Sequence, residues 1–96
     1  MKLVDPTDFE ILTYLDEKGR NNAVNLAAGL EKDRSYINTR LRTLADLGLV
    51  DRVGPAENSG LYEIAERGHA ALECEEAYRD DDRDFEALLE SAIEQD

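Results

Sequence analysis

The feature that most constrains this chain is a series of short apolar stripes at helical spacing, each opened by a capping residue and closed by a turn. Asp5-Pro6-Thr7-Asp8 reads as a helix start: an Asp cap, a Pro where the missing N–H costs nothing, and acid in the first turn. Phe9, Leu12 and Leu15, flanked by Ile11, form the stripe, and Lys18-Gly19 closes it with a cation at the negative helix end and a residue free to turn. Asn22 caps a second, shorter helix from Ala23 to about Leu30, with Val24, Leu26, Ala27 and Leu30 apolar. Gly29 within it is poor helix chemistry, costing about 1 kcal/mol against Ala. After a tight Glu31-Lys32 turn, Asp33 caps a third helix to about Leu47, ended by Gly48, with Ile37, Leu41, Leu44 and Ala45 facing inward.

The period then changes. Leu49–Val53 and Gly60–Ile64 read as strands, and Gly54–Ser59 between them is turn chemistry longer than a two-residue hairpin loop. A helix is expected from about Glu66 to Tyr78, with Gly68 interrupting it, followed by a charged break over Arg79–Asp84. Phe85, Leu88, Leu89, Ala92 and Ile93 then give a final amphipathic helix. The fold class is therefore mainly α with a small β-hairpin. Residues 1–78 form one unit and residues 79–96 an acidic C-terminal helix. With 96 residues, one modest core is available and two are not.

Charge narrows the function. The chain has 23 acidic and 11 basic residues, a formal net charge of -12. Residues 1–65 carry 11 acids and 8 bases, whereas residues 66–96 carry 12 acids and 3 bases. Such a body repels polyanions over a Debye length. Abundant Asp and Glu with only three Lys also resembles proteins adapted to molar salt, and a halophilic origin is the expectation. The single cysteine, Cys74, excludes an internal disulfide and fits a reducing compartment. No basic segment precedes an apolar stretch, and no apolar run approaches the roughly 20 residues that span a bilayer, so a cytoplasmic location is expected.

Catalysis finds little support. His69 has no Cys or His at ligand spacing, and no base stands in a recognisable relation to Ser, Thr or Cys. Glu75-Glu76 and Asp80-Asp81-Asp82 lack the glycine of an ion-binding loop and read as a solvated run. No glycine-rich phosphate loop is present. The expectation is no enzyme activity, no cofactor, no metal and no small-molecule substrate.

Two helices joined by a tight turn, the second longer and followed by a hairpin, make the winged helix-turn-helix order. The third helix is then the candidate reader. At about 100° per residue, the side opposite Ile37 holds Ser35, Thr39, Arg42 and Asp46. Tyr36, Asn38 and Thr43 flank that side, and Arg34 and Arg40 lie at its edges, within reach of phosphates. Asn and Arg can bond base edges in pairs, and hydroxyls can bond bases or phosphate. From Lys32 to Arg42 there are four bases and one acid, Asp33, which is occupied as a cap. That local inversion of sign points to double-stranded DNA as the partner.

The residues also resemble a family. Arg20-Asn21-Asn22-Ala23 through Leu26-Ala27, Asp33-Arg34-Ser35-Tyr36-Ile37, Leu44 through Arg52-Val53, and Gly60-Leu61-Tyr62-Glu63-Ile64 on to Leu72 are similar to the haloarchaeal winged-helix repressors typified by the phage phi-H repressor. The likeness covers roughly residues 5–75. It implies a repressor-like transcriptional regulator, with positions 34–43 entering the major groove and the Asn22 region touching phosphate. Two departures stand out. Glu31 occupies a position where a turn glycine is usual, and the wing tip has no Lys or Arg, leaving Arg52 at its base for a backbone contact.

Two-fold operators favour a homodimer, and Phe85, Leu88, Leu89 and Ile93 are the candidate interface. Neutralising about five phosphates would cost roughly 10⁴-fold, about 6 kcal/mol, per tenfold rise in salt. A regulator working in molar salt must therefore lean on base contacts, apolar contacts and paired copies. The alternative is a winged helix that docks on protein without contacting DNA.

Overall fold

The elements fall in the order α1 (Thr7–Lys18), α2 (Ala23–Leu30), α3 (Arg34–Asp46), β1 (Val50–Val53), β2 (Leu61–Ile64), α4 (Glu66–Glu73), α5 (Glu75–Asp80) and α6 (Phe85–Glu94) in a computed structural model that describes residues 1–56, 59–80 and 85–94. The expected charged break lies partly outside the described residues, at 81–84, as does the centre of the wing tip, at 57–58.

The three helical stripes meet in one core. Phe9, Ile11, Leu12 and Leu15 of α1, Leu26 of α2, and Ile37, Leu41 and Leu44 of α3 are each at most 2% exposed. Burying each such side chain contributes about 1.5–3 kcal/mol. Asn22 accepts a hydrogen bond from the Asn25 amide at 2.9 Å, and Asp33 accepts one from the Tyr36 amide at 3.0 Å, so both expected caps are in place. The first cap differs. Pro6 occupies the cap position of α1 without a side-chain bond, and the Asp5 carboxylate instead accepts from Arg79 at 2.9 and 3.0 Å. Asp8 closes the turn: the Asp8 amide donates to the Val4 carbonyl, and the Val4 amide donates back to the Asp8 carboxylate, both at 2.8 Å.

The hairpin pairs antiparallel with Val50 opposite Ile64 and Val53 opposite Leu61. Its other edge is closed by Asn21, whose amide and carbonyl each bond Tyr62 at 2.9 Å. That third rung is not visible as a pattern in the sequence, because a single bridging residue leaves no alternation. It fastens the start of α2 to the wing.

Both glycines read as weaknesses sit where another group approaches the helix closely, a side-chain ring at Gly29 and a backbone carbonyl at Gly68. A Cβ at Gly29 would lie 2.5 Å from the Tyr14 ring, and one at Gly68 would lie 2.2 Å from the Leu49 carbonyl oxygen. Gly68 does not interrupt its helix: it is buried within α4, which ends at Cys74. Cys74 is half-buried against the core, and burial, followed by the nearby Glu73 charge, pushes its thiol pKa up.

The C-terminal third belongs to the same core. Phe9, Tyr78 and Phe85 form a ring cluster with centroid separations of 5.5, 6.3 and 4.9 Å. The Tyr78 hydroxyl donates to the Leu3 carbonyl at 2.8 Å and accepts from the Leu3 amide at 2.9 Å. The core therefore crosses the expected boundary after residue 78. Phe85 and Leu89, expected at a dimer interface, are 1% and 0% exposed inside their own chain. Phe85 packs instead against the Phe9 and Tyr78 rings of its own chain. Leu88 is left outside at 38% exposure, and Ile93 is half-buried.

Candidate nucleic-acid interface

Once Ile37, Leu41 and Leu44 are buried, helical geometry sets the other side of α3 in solvent. Arg34, Ser35, Tyr36, Thr39, Arg42 and Asp46 are exposed, while Asn38 and Thr43 are half-buried at its margins. The hydroxyls are partly committed. Thr39 donates to the Ser35 carbonyl at 3.1 Å and Thr43 to the Thr39 carbonyl at 3.2 Å, so outward they present lone pairs and methyls.

Arg40 departs from the expected set. Its guanidinium donates to Asp8 through Nε at 2.9 Å and through a terminal nitrogen at 2.7 Å. Its side chain is 16% exposed and that of Asp8 0%. The Asp8 hydrogen bonds hold the Arg40 guanidinium even more firmly protonated than usual. Arg40 thus ties α3 to α1 and is not offered to a ligand. A helical wheel places it at the core edge but cannot show that a carboxylate from 32 residues earlier waits there. Lys32 is likewise drawn inward, 3.7 Å from Glu10. Among the described residues, Arg34, Arg42 and Arg52 engage no carboxylate. Arg52 lies 5.9 Å from the Tyr62 ring centroid on the wing.

Asn22, Arg34, Ser35 and Asn38 come together around one polar cleft of about 250 Å³. Ala23 and Val24 of α2 and Gly60 of the wing complete it. Val24, one of the apolar residues expected in α2, is 54% exposed. Leu26, Ala27 and Leu30 cluster on one side of the α2 wheel and Val24 lies roughly 110° away, a signal that was present in the spacing. The cleft combines the capped start of α2, a cation and two amides. Backbone N–H groups at a helix start attract anions, and amides and guanidinium bond bases or phosphate.

The turn before α3 carries a strained residue. Glu31 adopts φ 56° and ψ 48°, the left-handed conformation that disfavours side chains by about 1–2 kcal/mol. Glu31→Gly is expected to stabilise the fold by about 1 kcal/mol while removing a negative charge from the rim of the cation-bearing face. Urea midpoints would check this, and an unchanged or lower midpoint would contradict it.

Arg67 extends the network behind the site. Its Nε donates to the Leu47 carbonyl at the end of α3 at 3.1 Å, and its terminal nitrogens bond Glu86 and Glu90 of α6. No cluster of ligating side chains able to hold a metal ion occurs among the described residues, and no helix there is long and apolar enough to cross a membrane.

The family model described as winged helix-turn-helix DNA-binding matches residues 4–51, half of the chain, spanning α1 to α3 and the start of β1. No curated protein and no solved structure matches this chain.

Proposed function

We propose, from the premise that this chain belongs to the winged helix-turn-helix DNA-binding family, that it is a sequence-specific, repressor-like transcriptional regulator reading the major groove of double-stranded DNA with α3. The observation that carries this reading is the placement of Arg34, Ser35, Thr39 and Arg42 on one exposed face beside the Asn22–Asn38 cleft, in a chain of net charge -12. Arg42 and Asn38 are the base readers. Arg34, Ser35 and the start of α2 hold phosphate, and Val24 supplies an apolar contact to sugar or a thymine methyl. Arg52 touches the backbone at the wing. Two copies on paired half-sites would double these contacts, with Leu88 and Ile93 the apolar residues that α6 leaves for pairing.

The likeness to haloarchaeal phi-H-type repressors and the acid excess support operation in molar salt. With Arg34 and Arg52 each neutralising a phosphate, log K would fall with a slope of about -1.8, roughly 60-fold per tenfold rise in salt. That is a gentler dependence than five phosphate contacts would impose.

Selection of bound fragments from random duplexes in molar potassium chloride tests the reading directly. Arg42→Ala and Asn38→Ala are each expected to cost about 1–3 kcal/mol and to relax preference at one base position. Arg34→Ala should weaken all sequences alike and reduce the salt slope by about one. If no sequence is enriched, and neither reader variant alters binding at low salt, α3 is not the reader. Loss of Arg40 and Lys32 to internal carboxylates favours a second reading, a winged helix that docks on protein. Absence of duplex binding even at low salt would select it.

A further inference from the structure

Much of the polar chemistry around the outer face of α3 is spent inside the chain. Thr39 donates to the Ser35 carbonyl at 3.1 Å, and the Asn22 carboxamide oxygen accepts from the Asn25 amide at 2.9 Å. Arg40 is held by Asp8, and Lys32 lies against Glu10. A threonine whose hydroxyl proton is turned back on its own helix has a methyl and a lone pair left for whatever approaches. Thr39 is exposed, so those groups belong to the surface of α3. On α2, Val24 is 54% exposed, the highest value of any large apolar side chain among the described residues. It borders the cleft that also holds Ser35 and Asn38. Besides Arg42 and Asn38, this face therefore retains hydrocarbon for discrimination.

Unmodified bases present one apolar group in the major groove, the C5 methyl of thymine. Resting on the reading of duplex DNA by α3, we infer that the site selects thymine through that methyl, at one position against Val24 and at another against Thr39. Ser35 and Thr39 stand one turn apart, about 6 Å along the helix, whereas base pairs rise about 3.4 Å each. Val24, at the Ser35 end, and Thr39 thus meet different pairs. Methyl contacts also suit a body of net charge -12, because they do not depend on neutralising phosphate.

Parallel selections from random duplexes made with thymine or with uracil, which lacks only the methyl, test this. The thymine pool should yield a site with thymine at two fixed positions, and the uracil pool should lose the preference at both. Uracil placed at either position of the enriched duplex should weaken binding about fourfold, the worth of one buried methyl, and at both about fifteenfold. Val24→Ala, an exposed change toward a better helix former, should cancel most of the uracil penalty at one position only. Thr39→Ser keeps the hydroxyl bond and should cancel it at the other. The penalties should be equal in dilute and molar potassium chloride, since burying a methyl releases no counter-ions, and Arg34→Ala should lower overall affinity while leaving them in place. Equal binding of the thymine and uracil duplexes, or a penalty unchanged in both variants, overturns this inference and leaves α3 as the reader. Absence of duplex binding at any salt overturns both.

Discussion

Asp8→Ala is expected to destabilise the protein by about 3 kcal/mol, lowering the melting temperature by roughly 12–24 °C. The substitution strands Arg40, whose side chain is only 16% exposed and makes its ion pair entirely with Asp8. Removing one member of a buried pair leaves a desolvated charge, typically costing about 3–5 kcal/mol, and the lower end applies because Arg40 keeps some solvent. The Val4 amide loses its acceptor in the same step. Thermal unfolding followed by circular dichroism reads the change, and a loss under about 1 kcal/mol would show the pair to be solvated. Replacing both partners, Asp8→Leu with Arg40→Met, should recover more than half of the loss, since an apolar pair of similar volume has no charge to desolvate. Arg40→Met also separates support from reading. It should lower stability while leaving base preference intact, where Arg42→Ala does the reverse.

Gly68→Ala carries the second large effect, and its sign opposes helix propensity. In an exposed helix this change would stabilise by about 1 kcal/mol. Here the added methyl would sit 2.2 Å from the Leu49 carbonyl oxygen and 2.7 Å from Ile64. The near atom is backbone, and that same carbonyl accepts from the Ala65 amide at 3.1 Å, so it cannot swing aside without losing the junction between hairpin and α4. Overpacking of this kind costs about 1–3 kcal/mol, and a backbone clash belongs at its upper end, giving a net loss of about 2 kcal/mol after the propensity gain. Chemical denaturation provides the number. Amide shifts should move along β1 and β2, and a variant as stable as the parent would mean that α4 is held loosely. Gly29→Ala is the milder counterpart, because the obstructing atoms there are the movable ring of Tyr14.

Much of the helical framework was legible beforehand because it is governed by neighbours in sequence. Asn22 and Asp33 cap through bonds three residues long, and the stripes of α1 and α3 follow a period that burial merely completes. The outward residues of α3 follow from the same period, so Ser35, Thr39, Arg42 and Asp46 were placed on the solvent side correctly. What failed was decided by contacts distant in sequence. The Asp5 cap does not form because its carboxylate goes to Arg79, 74 residues away in sequence. The single helix expected from 66 to 78 divides at Cys74, which lets Tyr78 reach the Leu3 backbone.

Local spacing, then, determined three capped helices, a hairpin and a cation-bearing outer face, because helix period and end-capping need only adjacent residues. Tertiary structure decided which charges that face keeps and where α6 spends its apolar side. A buried carboxylate claims Arg40 and an aromatic socket claims Phe85, and both partners come from α1 or the segments packed on it. Such pairings depend on which distant groups are desolvated together, a property of the packed chain that no run of neighbouring residues encodes.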